Sequence, residues 1–436
     1  MEMKTLLGIS IALMAGLFMS RIVKPLKLPA VTGYLVAGIL IGPYCLGLLG
    51  IEGIGFTSVS EVASLSILND VALGFIAFAI GDEFRLSQLK HTGKQATIIG
   101  IFQAVMTTLV VDAALIGLHF ILGEDKLPLS SAIILGAIAS ATAPAATLMV
   151  VRQYKAKGKL TNLLLPIVAL DDAVGLIIFA VSFGIAKALV HGEFNLVSVL
   201  VDPLAEIVFS LILGAILGWC LSFAEKFFRS NSKRQAIVVT AIFFAVALSK
   251  LKFNIGPVHI GFSPLLVCMM LGTIFCNVCD FSAELMEKTD KWTAPLFILF
   301  FVLSGAELEF SVFTDISIIG IGVVYIIARS FGKYFGARWS ASMAKSEPKI
   351  QKYLGITLLP QAGVALGMSI TAMSIGESGV IIRNIVLFGV LIYELLGPTM
   401  TKIALTKAGD ISPKPEKIKV APPKGRDAVT VQTTNK

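Results

Sequence analysis

Two aspartates, Asp171 and Asp172, stand side by side near the middle of an apolar stretch that extends from about residue 162 to residue 189. A carboxylate at bilayer depth costs roughly 2.5–3.5 kcal/mol on insertion scales, so such residues are rare unless they take part in function. Carboxyl groups exchange protons and attract cations, and nearby charges set which form they take. The pair is therefore the first place to look for a functional site.

A second set of polar groups interrupts the apolar stretch between Ala137 and Thr147. Pro144 removes one backbone donor and frees a carbonyl one turn earlier, while small residues let another helix approach. Ser140 and Thr142 add hydroxyl oxygens. A broken helix at membrane depth is tolerated where it is buried in protein or lines a polar cavity, and its freed oxygens suit a monovalent cation. A proline kink capped by the hydroxyls is the alternative interpretation.

A counterpart to this interruption lies near the other end of the chain. Pro360, Gln361 and Gly363 again place a proline, a polar side chain and a glycine inside an apolar stretch. An even number of predicted membrane crossings lies between the two stretches, so they enter the membrane in opposite directions. Two interrupted helices in oppositely oriented halves indicate the mid-membrane site of a secondary transporter.

Two basic residues, Arg329 and Lys333, lie in a third apolar stretch. Their spacing of four places them one turn apart on the same face of a helix. Either base could pair with one of the aspartates. The alternative for Lys333 is that its long side chain reaches to the cytoplasmic surface, which is harder for the more central Arg329.

The composition requires a membrane around these residues. The chain has 436 residues, of which 56% are hydrophobic and 15% are charged, against an apolar share of about 45–50% in soluble domains. Because about 17–25 apolar residues span a bilayer as a helix, the sequence predicts about thirteen membrane helices, which we number as runs 1 to 13. The runs begin near Thr5, Pro29, Ala63, Ala96, Ser130, Asn162, Val197, Gln235, Ile260, Thr293, Ile316, Tyr353 and Val380.

Basic residues follow the odd-numbered runs, whereas the loops after even-numbered runs contain few of them. The positive-inside rule then predicts an N-terminus outside the cell and a cytoplasmic tail from about residue 406. The net charge of +8 reflects this asymmetry and does not indicate a nucleic-acid surface. Run 1 lacks a convincing cleavage site and is expected to be a retained helix, and the proline- and lysine-rich tail is expected to be disordered.

Five segments, in this order, resemble the monovalent cation:proton antiporter superfamily, and most of all the branch that includes bacterial sodium/proton antiporters and potassium-efflux proteins. The resemblance covers the membrane region from about residue 5 to residue 405. The segments are residues 28–43 (LPAVTGYLVAGILIGP), Ala141-Thr-Ala-Pro144, Asp171-Asp172, Phe301-Val-Leu-Ser-Gly305 and Pro360-Gln-Ala-Gly363.

The resemblance implies an all-α polytopic membrane protein with two inverted five-helix repeats and crossed broken helices, the sodium/proton antiporter fold. Runs 4–6 and 11–13 would form a core, and the other runs would form a dimerisation domain. The resulting domains are an extra N-terminal helix (1–27), a first repeat (28–190), linking helices (191–258), a second repeat (259–405) and the tail (406–436). A homodimer in the bacterial or archaeal inner membrane is the expected assembly.

The resemblance also implies roles for individual residues. Asp172 would alternately hold a cation, Na⁺ first, or protons, and Asp171 would pair with Arg329 or Lys333. Consecutive helix positions point about 100° apart, so adjacent aspartates can serve two neighbours. An arginine in run 11 usually accompanies an Asn-Asp pair, so the proton:ion ratio stays open if Arg329 is the partner. Ala143 stands where some relatives have an aspartate, so the site is poorer in charge than theirs.

Two further acids in apolar runs are candidates for accessory roles, Asp112 in run 4 and Glu394 in run 13. An interhelical hydrogen bond is the alternative for Asp112 and a structural motif the alternative for Glu394.

The sequence therefore predicts a secondary transporter, not an enzyme, that exchanges Na⁺, Li⁺ or K⁺ for H⁺ and needs no cofactor. An intramembrane aspartyl protease would need its aspartates on two facing helices, which adjacent residues cannot provide. A sodium-coupled organic-solute symporter could share the architecture but would not be expected to carry the carboxylate pair with a basic partner.

Overall fold

The computed structural model describes residues 2–51, 53–191, 202–228, 230–251, 253–255, 258–308 and 316–411. The side chain of Asp172 lies outside this description, although its backbone is part of a helix. The predicted tail from residue 406 falls almost entirely outside the described residues, so its disorder stays a prediction.

Sixteen α-helices account for most of the part of the chain that the structure describes. They are α1 (Glu2–Val23), α2 (Ala30–Ile41), α3 (Val59–Ala63), α4 (Ser66–Gly81), α5 (Leu86–Leu122), α6 (Leu129–Ala139), α7 (Pro144–Tyr154), α8 (Lys159–His191), α9 (Asp202–Ala224), α10 (Asn231–Ser249), α11 (Pro264–Val278), α12 (Ser282–Ala306), α13 (Ile316–Met343), α14 (Pro348–Thr357), α15 (Gly363–Ala372) and α16 (Glu377–Ala408). Short 3₁₀ turns lie at Leu46–Leu49, Asp82–Phe84, Glu225–Phe227 and Met373–Ile375.

A two-stranded antiparallel hairpin precedes α11. Its strands are β1 (Phe253–Ile255) and β2 (Val258–Ile260), with Asn254 opposite His259.

The helices coincide with the predicted membrane runs. Nine helical segments within the described ranges are long and apolar enough to cross a membrane, and four shorter apolar helices fall on the remaining runs. Runs 5 and 12 each consist of two helices with a break between them, α6 with α7 and α14 with α15. The all-helical prediction is confirmed, while the crossing of the bilayer by all thirteen runs stays a prediction.

The helices pack as two groups. The first helix group contains α5 to α8 and α13 to α16, in which α5 packs against α13, α6 and α8, and α16 packs against α14 and α15. The second helix group contains α1, α2, α4 and α9 to α12, in which α11 packs against α4 and α9, and α12 packs against α1 and α2. The helices α2, α4 and α9 also contact the first group. All three clusters of candidate site residues lie in the first group.

Glycines bring α13 close to α5 next to the two bases. A Cβ atom on Gly332 would lie 3.0 Å from the Cα atom of Thr107, and one on Gly336 would lie 3.1 Å from the Cβ atom of Met106. Because side chains at these two positions would push the helices apart, glycine lets α5 bring its polar side chains to the site.

Candidate ion-binding site at the crossing of two broken helices

The first break separates α6 from α7. Ala143 is extended, with φ −77° and ψ 105°, and Pro144 is the first residue of α7. A residue before proline is sterically disfavoured in the helical conformation, and proline has no N–H to continue the helix. The sequence therefore ends α6 at Ala139 and leaves residues 140–143 as a buried, non-helical segment.

The second break lies between α14 and α15, where residues 358–362 are non-helical and contain Pro360. The two breaks meet directly, since the Ala143 N–H donates to the Pro360 carbonyl at 2.8 Å. This bond pairs a backbone donor freed by one break with a backbone acceptor freed by the other, so the two breaks satisfy part of each other's hydrogen-bonding capacity. The predicted crossing of Pro144 and Pro360 segments is thus present in the structure.

Arg329 joins the two breaks through its guanidinium group. Its Nε and Nη2 atoms donate to the carbonyls of Ala139 and Ala141 at 2.9 and 2.7 Å, and Nη1 donates to the carbonyl of Leu359 at 2.7 Å. The side chain is fully buried, and its Cζ atom lies 4.4 Å from the centre of the Tyr393 ring. Arg329 thus supplies the donors that three freed carbonyls lack. The Tyr393 ring stabilises its positive charge through a cation–π contact.

Lys333 pairs with Asp171. Its Nζ atom lies 2.9 Å from Asp171 Oδ2 and 2.9 Å from Thr142 Oγ1, and it also donates to the Ser140 carbonyl. Both members of the ion pair are fully buried. The choice that the sequence left open between Arg329 and Lys333 is resolved in this structure for Asp171, because the hydrogen bonds of Arg329 go to carbonyls.

Two neutral side chains complete the surroundings of Asp171. The Thr142 hydroxyl donates to Oδ2 at 2.6 Å, and the Gln103 amide donates to Oδ1. The amide oxygen of Gln103 in turn accepts from Lys333 at 3.1 Å. The sequence did not identify Gln103 on α5 as a site residue, because a single glutamine in run 4 forms no motif with the aspartates of run 6. Such a network holds the carboxylate in one position because both of its oxygens have partners.

Gln361 fixes the second break against the first. Its Nε2 atom lies 3.0 Å from the Ile138 carbonyl and 2.9 Å from the Tyr325 hydroxyl. Tyr325 on α13 was also missed in the sequence, where an aromatic residue in an apolar run looks like an ordinary core residue. The predicted importance of Gln361 for the broken helix agrees with these contacts.

The expectation that freed carbonyls would be ion ligands does not describe this arrangement. The carbonyls of residues 138–141 and 358–360 accept hydrogen bonds from protein donors, chiefly Arg329 and Lys333. The Ser140 hydroxyl donates to the Ala137 carbonyl at 2.7 Å, in the last turn of α6. The oxygens at this crossing thus stabilise the two bases, because buried cationic groups need hydrogen-bond acceptors.

The two accessory acids lie on α5 and α16, which pack against the broken helices. Asp112 is on α5 beside Gly136, where an added Cβ atom would fall 1.7 Å from Asp112 Oδ1. Glu394 is on α16 and is 4% exposed. Neither carboxyl group shares a hydrogen bond with Asp171 among the contacts of the described side chains.

A cavity of about 500 Å³ lies between the two helix groups beside the second break. It extends from Gly363 and Leu176 towards Lys187, Glu206 and Thr371. A Cβ atom on Gly363 or Gly367 would meet no atom within 4 Å. The predicted glycine of the break therefore borders open space rather than a packed helix.

The arrangement defines the class of the molecule. A multi-pass helical protein with two broken helices crossing in its interior, and with ionised side chains at the crossing, has the architecture of a secondary transporter. The profile of the family described as "Sodium/hydrogen exchanger, transmembrane" matches residues 9–407. The chain belongs to the sodium/hydrogen exchanger family, which is a family of transporters rather than enzymes.

Curated relatives agree with this assignment at low identity. The chain is 24% identical to Cation/H(+) antiporter 17 of Arabidopsis thaliana over 76% of its own length and 40% of that protein. It is 23% identical to the Na(+)/H(+) antiporter NhaS4 of Synechocystis over 91% of its length and 95% of that protein. It thus spans about two fifths of the Arabidopsis protein.

The fold is similar to a solved antiporter structure. The sodium proton antiporter MjNhaP1 of Methanocaldococcus jannaschii superposes with a TM-score of 0.70 at 18% identity, covering 94% of this chain and 99% of that one. The predicted sodium/proton antiporter fold is confirmed.

Proposed function

We propose that this protein is a secondary active antiporter that exchanges a monovalent cation for H⁺ by alternating access. The observation that carries the proposal is the crossing itself, where the Asp171–Lys333 ion pair and Thr142 meet two broken helices. Family membership supports the same activity.

Asp172 is the proposed carrier carboxylate. Asp171 is occupied on both oxygens by Thr142, Lys333 and Gln103, so it is poorly placed to take an ion without losing these contacts. Consecutive helix positions are about 100° apart, so the adjacent Asp172 would serve a different neighbour.

Competition for this carboxylate produces exchange. Asp172 holds either a cation or a proton, and binding of one displaces the other because both need the same oxygens. If the first helix group moves between its outward-facing and inward-facing positions only when the site holds a cation or a proton, the protein exchanges the two ions without leaking either. Asp171, Thr142 and Ser140 would shape the ion site. Na⁺ would be held mainly by Asp172, and also by Asp171 once Asp171 has released its present hydrogen-bond partners.

The cavity between the helix groups is the proposed access path for the ion in this conformation. It borders Gly363 at the second break and ends near the charged residues Lys187 and Glu206. With the predicted orientation, this end faces the outside of the cell. The first helix group would be the moving core, and the second would form the homodimer interface in contact with membrane lipids.

Each helix group combines helices from both predicted inverted repeats, residues 28–190 and 259–405, as the predicted core and dimerisation domain would. Residues 1–27 and 191–258 would add the extra and linking helices. We place the protein in the inner or plasma membrane, with its N-terminus outside and its C-terminus in the cytoplasm, on the strength of the basic loops.

Na⁺ is the favoured cation, and Li⁺ and K⁺ are the alternatives. Relatives such as the Na(+)/H(+) antiporter of Enterococcus hirae, 23% identical over 88% of this chain, support Na⁺. A K⁺/H⁺ antiporter is the second candidate, because K(+) efflux antiporter 6 of Arabidopsis thaliana is 24% identical over 69% of this chain.

Proteoliposomes containing the purified wild-type protein and a trapped pH dye test the proposal. Addition of Na⁺, Li⁺ or K⁺ outside should raise the lumenal pH for the transported cation only. Repeating the assay with a clamped membrane potential shows whether exchange moves net charge. If no cation moves protons, but a labelled organic acid accumulates with Na⁺, the protein is a symporter and the proposal is wrong.

A further inference from the structure

A groove of about 420 Å³ lies between α2, α13 and α16 and shares no lining residue with the cavity of the proposed access path. It extends from Leu28 and Met400 at one end to Leu359 and Tyr393 beside the broken helices. Its volume falls within the range of about 300–1,000 Å³ that is usual for small-molecule sites. On its wall, Leu396 is 58% exposed and Met400 is 39% exposed, so the groove is open on the surface that the helices present to the membrane.

Three lysines meet at the Leu28 end of the groove. The Lys402 ammonium group donates to the Lys27 carbonyl and lies 4.9 Å from the centre of the Tyr154 ring. The Lys27 N–H donates to the Lys24 carbonyl at 3.0 Å, in the turn just before Leu28. All three side chains are at least partly exposed, and no carboxylate of the described residues forms an ion pair with them. This end of the groove therefore attracts an anion.

A polar group without a partner lies next to this basic end. Thr32 in the first turn of α2 lines the groove and is 6% exposed. Its hydroxyl oxygen is buried and has no hydrogen-bond partner among the described residues. Buried hydroxyls left unsatisfied are rare and costly. The hydroxyl of Thr32 is thus available to a molecule bound in the groove.

We propose that the groove binds one anionic glycerophospholipid. Its phosphate lies against Lys27 and Lys402, a fatty-acyl ester carbonyl accepts from the Thr32 hydroxyl, and the acyl chain fills the apolar part towards Tyr393. The order is that of the lipid itself, because α2 runs from Lys27 towards Thr32 and deeper into the membrane by about 1.5 Å per residue. Basic pockets between membrane helices on the cytoplasmic side suit anionic headgroups, and the basic loops predict that this end is cytoplasmic.

The lipid contacts both helix groups. Thr32 is on α2 of the second group, whereas the other walls belong to α13 and α16 of the first. At the deep end, the Tyr393 hydroxyl donates to the Ile326 carbonyl at 2.7 Å and its ring lies beside Arg329. A lipid that binds this arrangement more tightly than another shifts the population towards it. This consequence rests on the proposed function, because it predicts that the lipid favours one conformation of the exchange cycle.

Native mass spectrometry of the purified, delipidated protein tests the site independently of transport. The protein is titrated with dioleoylphosphatidylglycerol and, separately, with the zwitterionic dioleoylphosphatidylcholine. K27Q/K402Q should weaken the first phosphatidylglycerol site about tenfold or more, as expected for hydrogen bonds to a charged group, and leave phosphatidylcholine unchanged. The control K345Q/K352Q removes two exposed lysines between α13 and α14 and should keep the wild-type affinities.

Equal losses in the two double variants would overturn the proposal, since binding would then follow the total charge alone. Glycerol 3-phosphate that binds as tightly as phosphatidylglycerol would also overturn it, because the acyl chain would contribute nothing. K27Q alone, which changes an exposed side chain, decides the question if K27Q/K402Q is not recovered folded.

Thr32→Val tests the position of the ester group. Valine keeps the shape of the side chain and removes the hydroxyl, so both lipids should bind about two- to tenfold more weakly. The lipid-free variant should unfold at the wild-type temperature or above, because no hydrogen bond within the described part is lost. Wild-type affinity of Thr32→Val for both lipids would contradict the proposed site. If no liposome shows exchange, the proposed function fails while these affinities still decide the lipid site.

Discussion

At the scale of single residues, the site separates two basic side chains that look equivalent in the sequence. Lys333 makes the ion pair with Asp171, whereas Arg329 donates to carbonyls of both breaks. The difference fits their chemistry, because a guanidinium fork reaches several acceptors at once and an ammonium group is a compact charge. Spacing on one helix face predicted that both bases point to the site, but it could not show which one reaches the carboxylate.

The two members of the buried ion pair should be energetically coupled, so that removing both costs less stability than the sum of the two single removals. We expect Lys333→Gln to lower the free energy of unfolding by about 3–5 kcal/mol, since Asp171 is left with a buried, uncompensated charge. The double variant Asp171→Asn/Lys333→Gln should lose less than the sum of the two single variants. Thermal unfolding in detergent measures the cycle, and additive losses would show that the two residues are not coupled.

At the scale of elements, the two breaks form one unit. Prolines and small residues in runs 5 and 12 predicted both interruptions, because proline effects are local and visible in sequence. The bond from Ala143 to Pro360 and the contact of Gln361 with Ile138 join segments that are more than 200 residues apart, and Gln361 also contacts Tyr325 on α13. Such contacts depend on how the helices pack, which a single sequence does not contain.

Arginine at position 329 should be required for the stability of this unit. Arg329→Lys keeps the charge but cannot reach three carbonyls, and each buried carbonyl left without a donor costs roughly 1–3 kcal/mol. We expect a clear loss of thermal stability together with reduced exchange. Lys333→Arg is the matched reciprocal change in the same helix. If Arg329→Lys unfolds at the wild-type temperature, the guanidinium does not hold the breaks together.

The approach of α14 to α13 should depend on Gly355. An added Cβ atom there would lie 2.6 Å from the Tyr334 Cα atom and 2.7 Å from the Lys333 carbonyl oxygen, both backbone atoms. Gly355→Ala should therefore displace α14 and cost roughly 1–3 kcal/mol, as overpacking does. Gly367→Ala is the control, because no atom lies within 4 Å of its added Cβ. Equal stability of the two variants would contradict this packing.

At the scale of the whole molecule, hydrophobic runs predicted the helices, and the resemblance to cation:proton antiporters implied their grouping into a transporter fold. They did not predict the cavity between the two helix groups. Its existence depends on the relative position of the groups, which the sequence does not encode as a local pattern and which alternating access would change. The cavity is therefore the feature that reports the conformation.

A cysteine in the cavity should be reachable from one side of the membrane. In a background without the exposed Cys45 and Cys220, Gly367→Cys should react with a small charged thiol reagent added outside, and the reaction should block exchange. A cysteine at Gly355, which is packed against backbone, is the control and should stay unlabelled if it folds. Labelling of Gly367→Cys only from the cytoplasmic side would reverse the proposed orientation of the access path.

The most direct test compares Asp172→Asn with Asp112→Asn in the proteoliposome assay. Both changes remove a carboxyl group from a membrane helix, but only Asp172 is next in sequence to Asp171, which lies at the crossing of the two broken helices. We predict that Asp172→Asn folds and shows no cation-driven proton movement, whereas Asp112→Asn retains it. Wild-type exchange by folded Asp172→Asn would contradict the central claim that this carboxyl group carries the cation and the proton.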